Sequence, residues 1–244
     1  MRSNKLRFFV EEPLKPGAEL KLAESASHKI RSVLRLRKRD EIVVFNNQYL
    51  EFKATIKEID KKYVTILTTE EIKTAVESPL QIKLIIAIIK PEKMDYALQK
   101  ATELGVTSIL PFFSARSVIK INDERREKRL IHWRNIIRSA SEQCGRRTIP
   151  DLYPFSPLSQ ILDLTKDFEF LILDPHARAK MSCLPRSQKP IAIVCGPEGG
   201  LNEEEIHSLI NRGGKNINIG PRVLRAETAS TCALTIAQSL WGDM

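Results

Sequence analysis

An apolar run, a glycine-rich turn and a helix start follow one another in IAIVCGPEGGLNEEE, residues 191–205. A short run that is apolar throughout is typical of a strand buried on both faces of a parallel sheet. Asn202 is predicted to cap the helix that follows. Parallel sheets bind ligands at the carboxyl ends of their strands, and glycines there expose bare backbone to a ligand. The segment therefore predicts an α/β fold with a binding loop; the alternative is a tight turn that binds nothing.

A second segment, INIGPRVLRAETASTCAL at residues 217–234, has the same order of features. A strand ends at Gly220-Pro221, a loop carries Arg222 and Arg225, and a helix begins near Glu227. An acidic residue suits a first helical turn, where backbone amides are free. The two loop arginines either contact a ligand or are simply solvated.

From Pro79 onward, apolar runs of strand length alternate with helical patterns. The expected strands lie at 82–89, 107–113, 168–173, 191–195 and 216–219. One helix is predicted from Pro91 to a stop at Gly105, and a long charged helix from Asn122 to Cys144. This alternation predicts a parallel sheet covered by helices on both faces.

The first 72 residues show a different pattern, with short strand-like segments at 7–10, 41–45, 49–56 and 63–67 and one helical piece at 27–34. Closely spaced strands predict a small antiparallel sheet or barrel. We therefore expect two domains, residues 1–72 and residues 80–244, joined by a linker at 73–79.

Charge and cysteine content narrow the possible partners and compartments. Lysine and arginine outnumber aspartate and glutamate by 39 to 30, which leaves a formal charge of +9. Such an excess attracts polyanions, and RNA, DNA and anionic membrane surfaces all qualify. The longest apolar stretch, 84–89, is far shorter than the roughly 20 residues of a membrane span. The four cysteines are scattered without metal-ligand spacing, and we expect Cys195 and Cys232 to be buried thiols. We also expect a cytoplasmic location and neither metal nor disulfide.

Several motifs, in chain order, carry a resemblance to a known family. They are RFFV at 7–10, HKIRSVLR at 28–35, KATELGV at 100–106, SEQCGR at 141–146, GPEGG at 196–200 and GPRVLRAETA at 220–229. With these motifs the chain resembles the SPOUT superfamily of RNA methyltransferases and, within it, the small-subunit ribosomal RNA methyltransferase E group, which modifies uridine at N3. One departure, Arg39-Asp40 where the group often has Gly-Asp, concerns a turn.

The resemblance implies a PUA-like N-terminal β-barrel and a C-terminal α/β domain with a parallel sheet and a trefoil knot. It also implies S-adenosylmethionine as cofactor, a homodimer with each active site near the partner subunit, and ribosomal RNA or the assembled small ribosomal subunit as partner. By the same resemblance, the cofactor is expected to contact residues in three places: Leu173; Gly196, Pro197, Glu198, Gly199 and Gly200; and Ile219, Gly220, Leu224, Ala226 and Thr228.

Two residues of these loops are the candidates for catalysis. N3 of uridine carries a proton at neutral pH, so methylation there needs either a base or a cation that stabilises the uridine anion. Arg225 is preferred as that cation, and phosphate binding is its alternative. Glu198 is the candidate base; its alternatives are substrate binding and stabilisation of the loop.

The resemblance and the basic segment 28–39 together give a set of candidate RNA-binding residues: Arg7, His28, Arg31, Arg35, Arg37 and Arg146. This segment either binds RNA phosphates without recognising the base sequence or is an amphipathic segment whose charged face is solvated. Two rival functions stay open: a ribose 2′-O methyltransferase of the same superfamily, and a non-enzymatic RNA-binding factor of ribosome assembly.

Overall fold

The computed structural model describes residues 6–73, 76–117, 123–187 and 189–244. They form two compact units: one extends up to Glu77 and includes Ser141–Ile149, and the other comprises Ser78–Ala140 and Pro150–Met244. The domain bounds predicted from the sequence, 1–72 and 80–244, differ mainly in placing residues 141–149 in the second domain. Among the described residues, no helix is both long enough and apolar enough to span a bilayer.

The first unit is built on a five-stranded sheet. Its strands are β1 (Arg7–Phe9), β2 (Glu19–Lys21), β3 (Glu41–Phe45), β4 (Glu51–Ile59) and β5 (Val64–Glu71), in the order β1-β3-β4-β5-β2. The pairings are antiparallel, as predicted, except that β1 runs parallel to β3. Two register shifts between β4 and β5 mark irregularities of the kind that bend strands and let a small sheet curl around its core.

A helical piece closes the core of this unit. Helix α1 (Glu24–His28) continues into a π-helical turn, Lys29–Val33, which buries Ile30 completely. The piece begins at Glu24, three residues before the start predicted from the sequence. The strand predicted at 49–56 begins only at Glu51, because Tyr49 adopts a φ of 59° in the preceding turn.

The second unit carries a six-stranded sheet whose named strands all pair in parallel. The strands are β6 (Ile82–Ala87), β7 (Ser108–Phe112), β8 (Asp151–Leu152), β9 (Glu169–Leu173), β10 (Ile191–Cys195) and β11 (Lys215–Ile217), in the order β11-β9-β10-β6-β7-β8. The helices are α2 (Pro91–Glu103), α3 (Asp123–Cys144), α4 (Leu158–Leu164), α5 (Glu203–Ile210) and α6 (Ala226–Trp241). The predicted parallel sheet is confirmed; the trefoil knot stays a prediction.

Local sequence explains where these elements begin and end. Strand β10 is buried along its whole length, as its apolar run predicted. Pro91 opens α2, and Gly105, with a φ of 79°, follows its end. Asn202 caps α5 in a reciprocal pair with Glu205, in which each side chain accepts from the other residue's backbone amide. The predicted start of α3 at Asn122 lies outside the described residues.

Two strand predictions in the second unit were wrong at their ends, and the first is β6, which stops at Ala87 rather than at residue 89. Strand β11 stops at Ile217 rather than at residue 219, because Asn218 leaves the ladder to pair with another segment. Its backbone amide donates to the carbonyl of Ala179 at 2.8 Å, and its side-chain amide donates to the carbonyl of Ala177 at 2.5 Å. This departure opens the chain into the loop that precedes α6.

Candidate functional site

A cavity of about 300 Å³ lies at the carboxyl ends of the neighbouring strands β11, β9 and β10. The ends meet there because the three strands are parallel. All of the predicted cofactor-binding residues except Gly199 and Thr228 line this cavity, and so does Arg225. The lining combines apolar side chains with glycine backbone, which suits a small organic ligand with an apolar body and polar edges.

The first loop, residues 196–201, turns tightly away from β10. The Gly200 amide donates to the carbonyl of Pro197 at 2.9 Å, and Gly200 has a φ of 72°, in the left-handed region that favours glycine. A Cβ at Gly196 would lie 3.0 Å from the backbone nitrogen of Leu201, so the turn itself requires glycine there. A Cβ at Gly200 would meet no atom within 4 Å, so at Gly200 the backbone borders open space.

Arg116, which was not among the residues predicted from the sequence, contacts this loop from outside the cavity. Its guanidinium donates to the carbonyls of Gly199 and Leu201, each at 3.3 Å. Glu205 strengthens the same attachment by accepting from the backbone amide of Ala115 and the hydroxyl of Ser114. Gly199 therefore faces Arg116 in the segment after β7, which accounts for its absence from the cavity lining.

The second loop, residues 218–225, forms the opposite part of the lining. Gly220 has a φ of 146°, and a Cβ there would also meet nothing within 4 Å. Arg222, Val223 and Arg225 are exposed, with Val223 at 77%. Thr228 is exposed in the first turn of α6. Arg225 is thus an exposed residue of the cavity lining.

Behind the two loops lies a cluster of charges that the sequence did not reveal. Lys93 of α2 lies 3.7 Å from a carboxylate oxygen of Glu198 and 3.7 Å from one of Glu227. The other oxygen of Glu227, Oε2, is buried without a hydrogen-bond partner. Burial first, and then the charge of Glu227, raises the pKa of the neighbouring Cys195 thiol to about 12. Cys195 is therefore a protonated, buried thiol, as its apolar setting predicted.

The candidate RNA-binding residues of the first unit fall into two groups. His28, Arg35 and Arg37 are exposed, whereas Arg31 is half-buried and donates to the backbone carbonyls of Asp60 and Lys61. The exposed group presents positive charge to solvent and so suits contact with a phosphate backbone.

Arg7 and Arg146 are held by protein groups. Arg7 donates to the carbonyl of Arg146 at 2.6 Å and pairs with Glu51. Arg146 is buried and lies 2.9 Å from a carboxylate oxygen of Glu77. In the same unit, Glu142 accepts from the ammonium of Lys29 at 2.8 Å. These contacts give the SEQCGR motif a structural role in the first unit.

Two family models match the chain. One, described as "RNA methyltransferase domain", matches residues 76–238. The other, described as "RNA methyltransferase PUA domain", matches residues 22–68. Together they cover most of both compact units, and the first covers the cavity and both of its loops.

Relatives and solved structures match over nearly the full length. "Ribosomal RNA small subunit methyltransferase E" from Buchnera aphidicola subsp. Schizaphis graminum is 34% identical over 98% of this chain and 97% of its own. A Legionella pneumophila structure with the bound cofactor SAM has a TM-score of 0.94 at 36% identity, over 99% of this chain and 100% of that one. A Ribosomal RNA small subunit methyltransferase E from Neisseria gonorrhoeae, bound to S-adenosyl methionine, has a TM-score of 0.91 at 33% identity, over 98% of this chain and 99% of that one.

Proposed function

The chain belongs to the ribosomal RNA small subunit methyltransferase E family, and on this premise we propose that it transfers a methyl group from S-adenosylmethionine to N3 of a uridine in 16S ribosomal RNA. One observation carries the proposal. The cavity at the strand ends is lined by both of the glycine-containing loops, in a chain that matches two cofactor-bound structures over nearly its full length.

The cavity residues fit this cofactor. Leu173, Ile219 and Leu224 offer apolar contacts to a nucleoside ring. Gly200 and Gly220 leave the space beside their backbone open, so a ligand can approach the chain closely at both positions. Glu198 adds a carboxylate, which suits a ligand that carries a positive charge.

When bound, the cofactor supplies a methyl group that its sulfonium has already made electrophilic, so the residues of the chain act mainly on the acceptor. Glu198 is already engaged by Lys93, whereas Arg225 is exposed at the cavity wall. Solvent accepts the N3 proton, and Arg225 stabilises the uridine anion that forms. The two loops hold the reacting groups for in-line transfer of the methyl group, which would leave S-adenosylhomocysteine as the second product. Glu198 lies in the cavity lining, with its carboxylate 3.7 Å from the ammonium of Lys93.

The first unit supplies RNA affinity in this proposal. The exposed side chains of His28, Arg35 and Arg37 lie in the part of the chain that matches the RNA methyltransferase PUA domain. Contacts of lysine and arginine with phosphates fix the register of a protein on RNA without reading its sequence. Arg7, Arg31 and Arg146 contribute by shaping this unit, because each is engaged by carbonyl or carboxylate groups.

The proposal includes a homodimer and the small ribosomal subunit as partners. Helices α2 and α6 expose large apolar side chains, Tyr96 at 46% and Leu240 at 43%, which a second copy of the chain covers. Light scattering of the purified protein tests the dimer. Methylation of free 16S RNA and of assembled subunits, compared side by side, tests which of them is the substrate.

The reaction itself is tested with purified protein, labelled S-adenosylmethionine and 16S RNA, followed by digestion of the RNA to nucleosides. The expected product is 3-methyluridine. A 2′-O-methyl nucleoside would instead assign the chain to the ribose-modifying enzymes. Absence of cofactor binding in isothermal titration would assign it to non-enzymatic RNA-binding factors, since such a factor has no use for a methyl donor.

A further inference from the structure

We propose that Lys93 is a positioning residue that joins the two loops of the cofactor cavity through Glu198 and Glu227. This inference rests on the proposed function, because it assigns a role in the same site. Lys93 and Glu227 do not line the cavity, whereas Glu198 does. Lys93 therefore acts through Glu198 and Glu227 rather than on the ligand.

The position of Lys93 in its own helix gives the first argument. It is the third residue of α2, which starts at Pro91. A cation in the first turn is unfavourable, because the free amides of a helix N-terminus carry partial positive charge. Helix α2 alone thus gives no reason for a lysine here. The two carboxylates, each 3.7 Å from its ammonium, supply one.

The two carboxylates come from the two different loops of the site. Glu198 stands in the first loop, between Pro197 and two glycines, and Glu227 stands at the start of α6, directly after the second loop. Glycine-rich backbone loses more conformational freedom on ordering than other sequences. An anchor on Glu198 therefore fixes a segment that is otherwise free on its cavity side, and Lys93 ties that segment to the second loop.

Because Lys93, Glu198 and Glu227 are partly buried, loss of the Lys93 ammonium is expected to be unfavourable. The side chains of Lys93, Glu198 and Glu227 are 21%, 30% and 12% exposed. Removing the ammonium leaves two partly buried carboxylates without their common partner, and Oε2 of Glu227 already lacks a hydrogen bond. Unpaired, desolvated charges are strongly unfavourable. We expect the loops to separate, so that the cavity no longer holds its ligand in place.

Isothermal titration with S-adenosylmethionine and with S-adenosylhomocysteine tests the inference without relying on activity. Lys93→Met is expected to weaken both ligands about tenfold, a loss within the range of couplings between contacting residues. Lys93→Arg keeps the charge and should retain most of the affinity. Lys90→Met, the same change at an exposed lysine just before α2, is the matched control and should bind like the wild type.

A double-mutant cycle separates positioning from general stability. The losses caused by Lys93→Met and Glu227→Gln should not multiply, since both break the same link and neither residue lines the cavity. If Lys93→Met does not fold, Glu227→Gln is measured alone and is expected to weaken both ligands, although Glu227 does not line the cavity. Wild-type affinity in Lys93→Met, with or without a lower melting temperature, or losses that simply multiply, would overturn the inference while leaving the proposed function intact. A wild-type protein that binds neither ligand overturns both.

Discussion

Replacing Gly200 by valine tests whether the first loop borders the bound cofactor. Gly200 lines the cavity with a φ of 72°, and a Cβ there meets no atom within 4 Å. The Cβ of the new side chain therefore meets no protein atom. Its effect on the fold is backbone strain, about 1–2 kcal/mol for a side chain in the left-handed region.

The effect of Gly200→Val on ligand affinity is expected to be larger than its effect on folding stability, and the two can be measured separately. A side chain that fills space needed by a ligand costs about 1–3 kcal/mol, which corresponds to a loss of affinity of about 5- to 150-fold. Gly213→Val is the matched control, because Gly213 has a φ of 83°, also has open space around it, and lies outside the cavity. Both variants should lose similar thermal stability, but only Gly200→Val should lose affinity for S-adenosylmethionine in isothermal titration. Wild-type affinity in Gly200→Val, or equal losses in both variants, would refute the reasoning.

Three other outcomes are expected. Arg35→Ala combined with Arg37→Ala should weaken RNA binding. In filter-binding assays, the slope of log affinity against log salt concentration should become shallower by about 0.7–0.9 per lost phosphate contact, and an unchanged slope would contradict this. Arg225→Ala should lower the single-turnover rate about 10²–10³-fold. The rate should partly recover at high pH, because solvent then ionises more of the uridine. If Glu198→Gln shows this loss and recovery instead, Glu198 is the base. The pKa of the Cys195 thiol is about 9 in the unfolded chain and about 12 in the folded protein, so the unfolded chain loses this proton first as the pH rises. The free energy of unfolding is therefore unaffected by this thiol below about pH 9 and falls between pH 9 and about 12. Chemical denaturation at about pH 9–10.5 should therefore show that the free energy of unfolding falls with pH by up to about 1.4 kcal/mol per pH unit more in the wild type than in Cys195→Ala. Equal dependence on pH in the two proteins would contradict a buried, protonated Cys195.

The sequence was sufficient for features that depend on neighbouring residues. The buried strand β10, the Asn202 cap, the start of α2 at Pro91 and the glycine after its end all follow from local patterns, and the structure confirms them. Strands β2 and β8 were missed because three and two residues are too few to show alternation.

Features that depend on distant residues could not be derived in this way. Arg116 contacts carbonyls 83 and 85 positions along the chain, and Lys93 pairs with two carboxylates beyond residue 190. Periodicity carries no information on such pairs. For the same reason, the charge pattern could not separate Arg146, which is buried against Glu77, from the exposed Arg35.

Mapping of 16S ribosomal RNA from a strain that lacks this protein tests the central claim most directly. Mass spectrometry of RNA fragments should show one uridine that has lost a methyl group on its base, at N3. A plasmid copy of the wild-type gene should restore that methyl group, and a Gly200→Val copy should restore it to a smaller fraction of the RNA. Unchanged methylation of every 16S uridine in the deletion strain, or a loss confined to ribose, would contradict the claim.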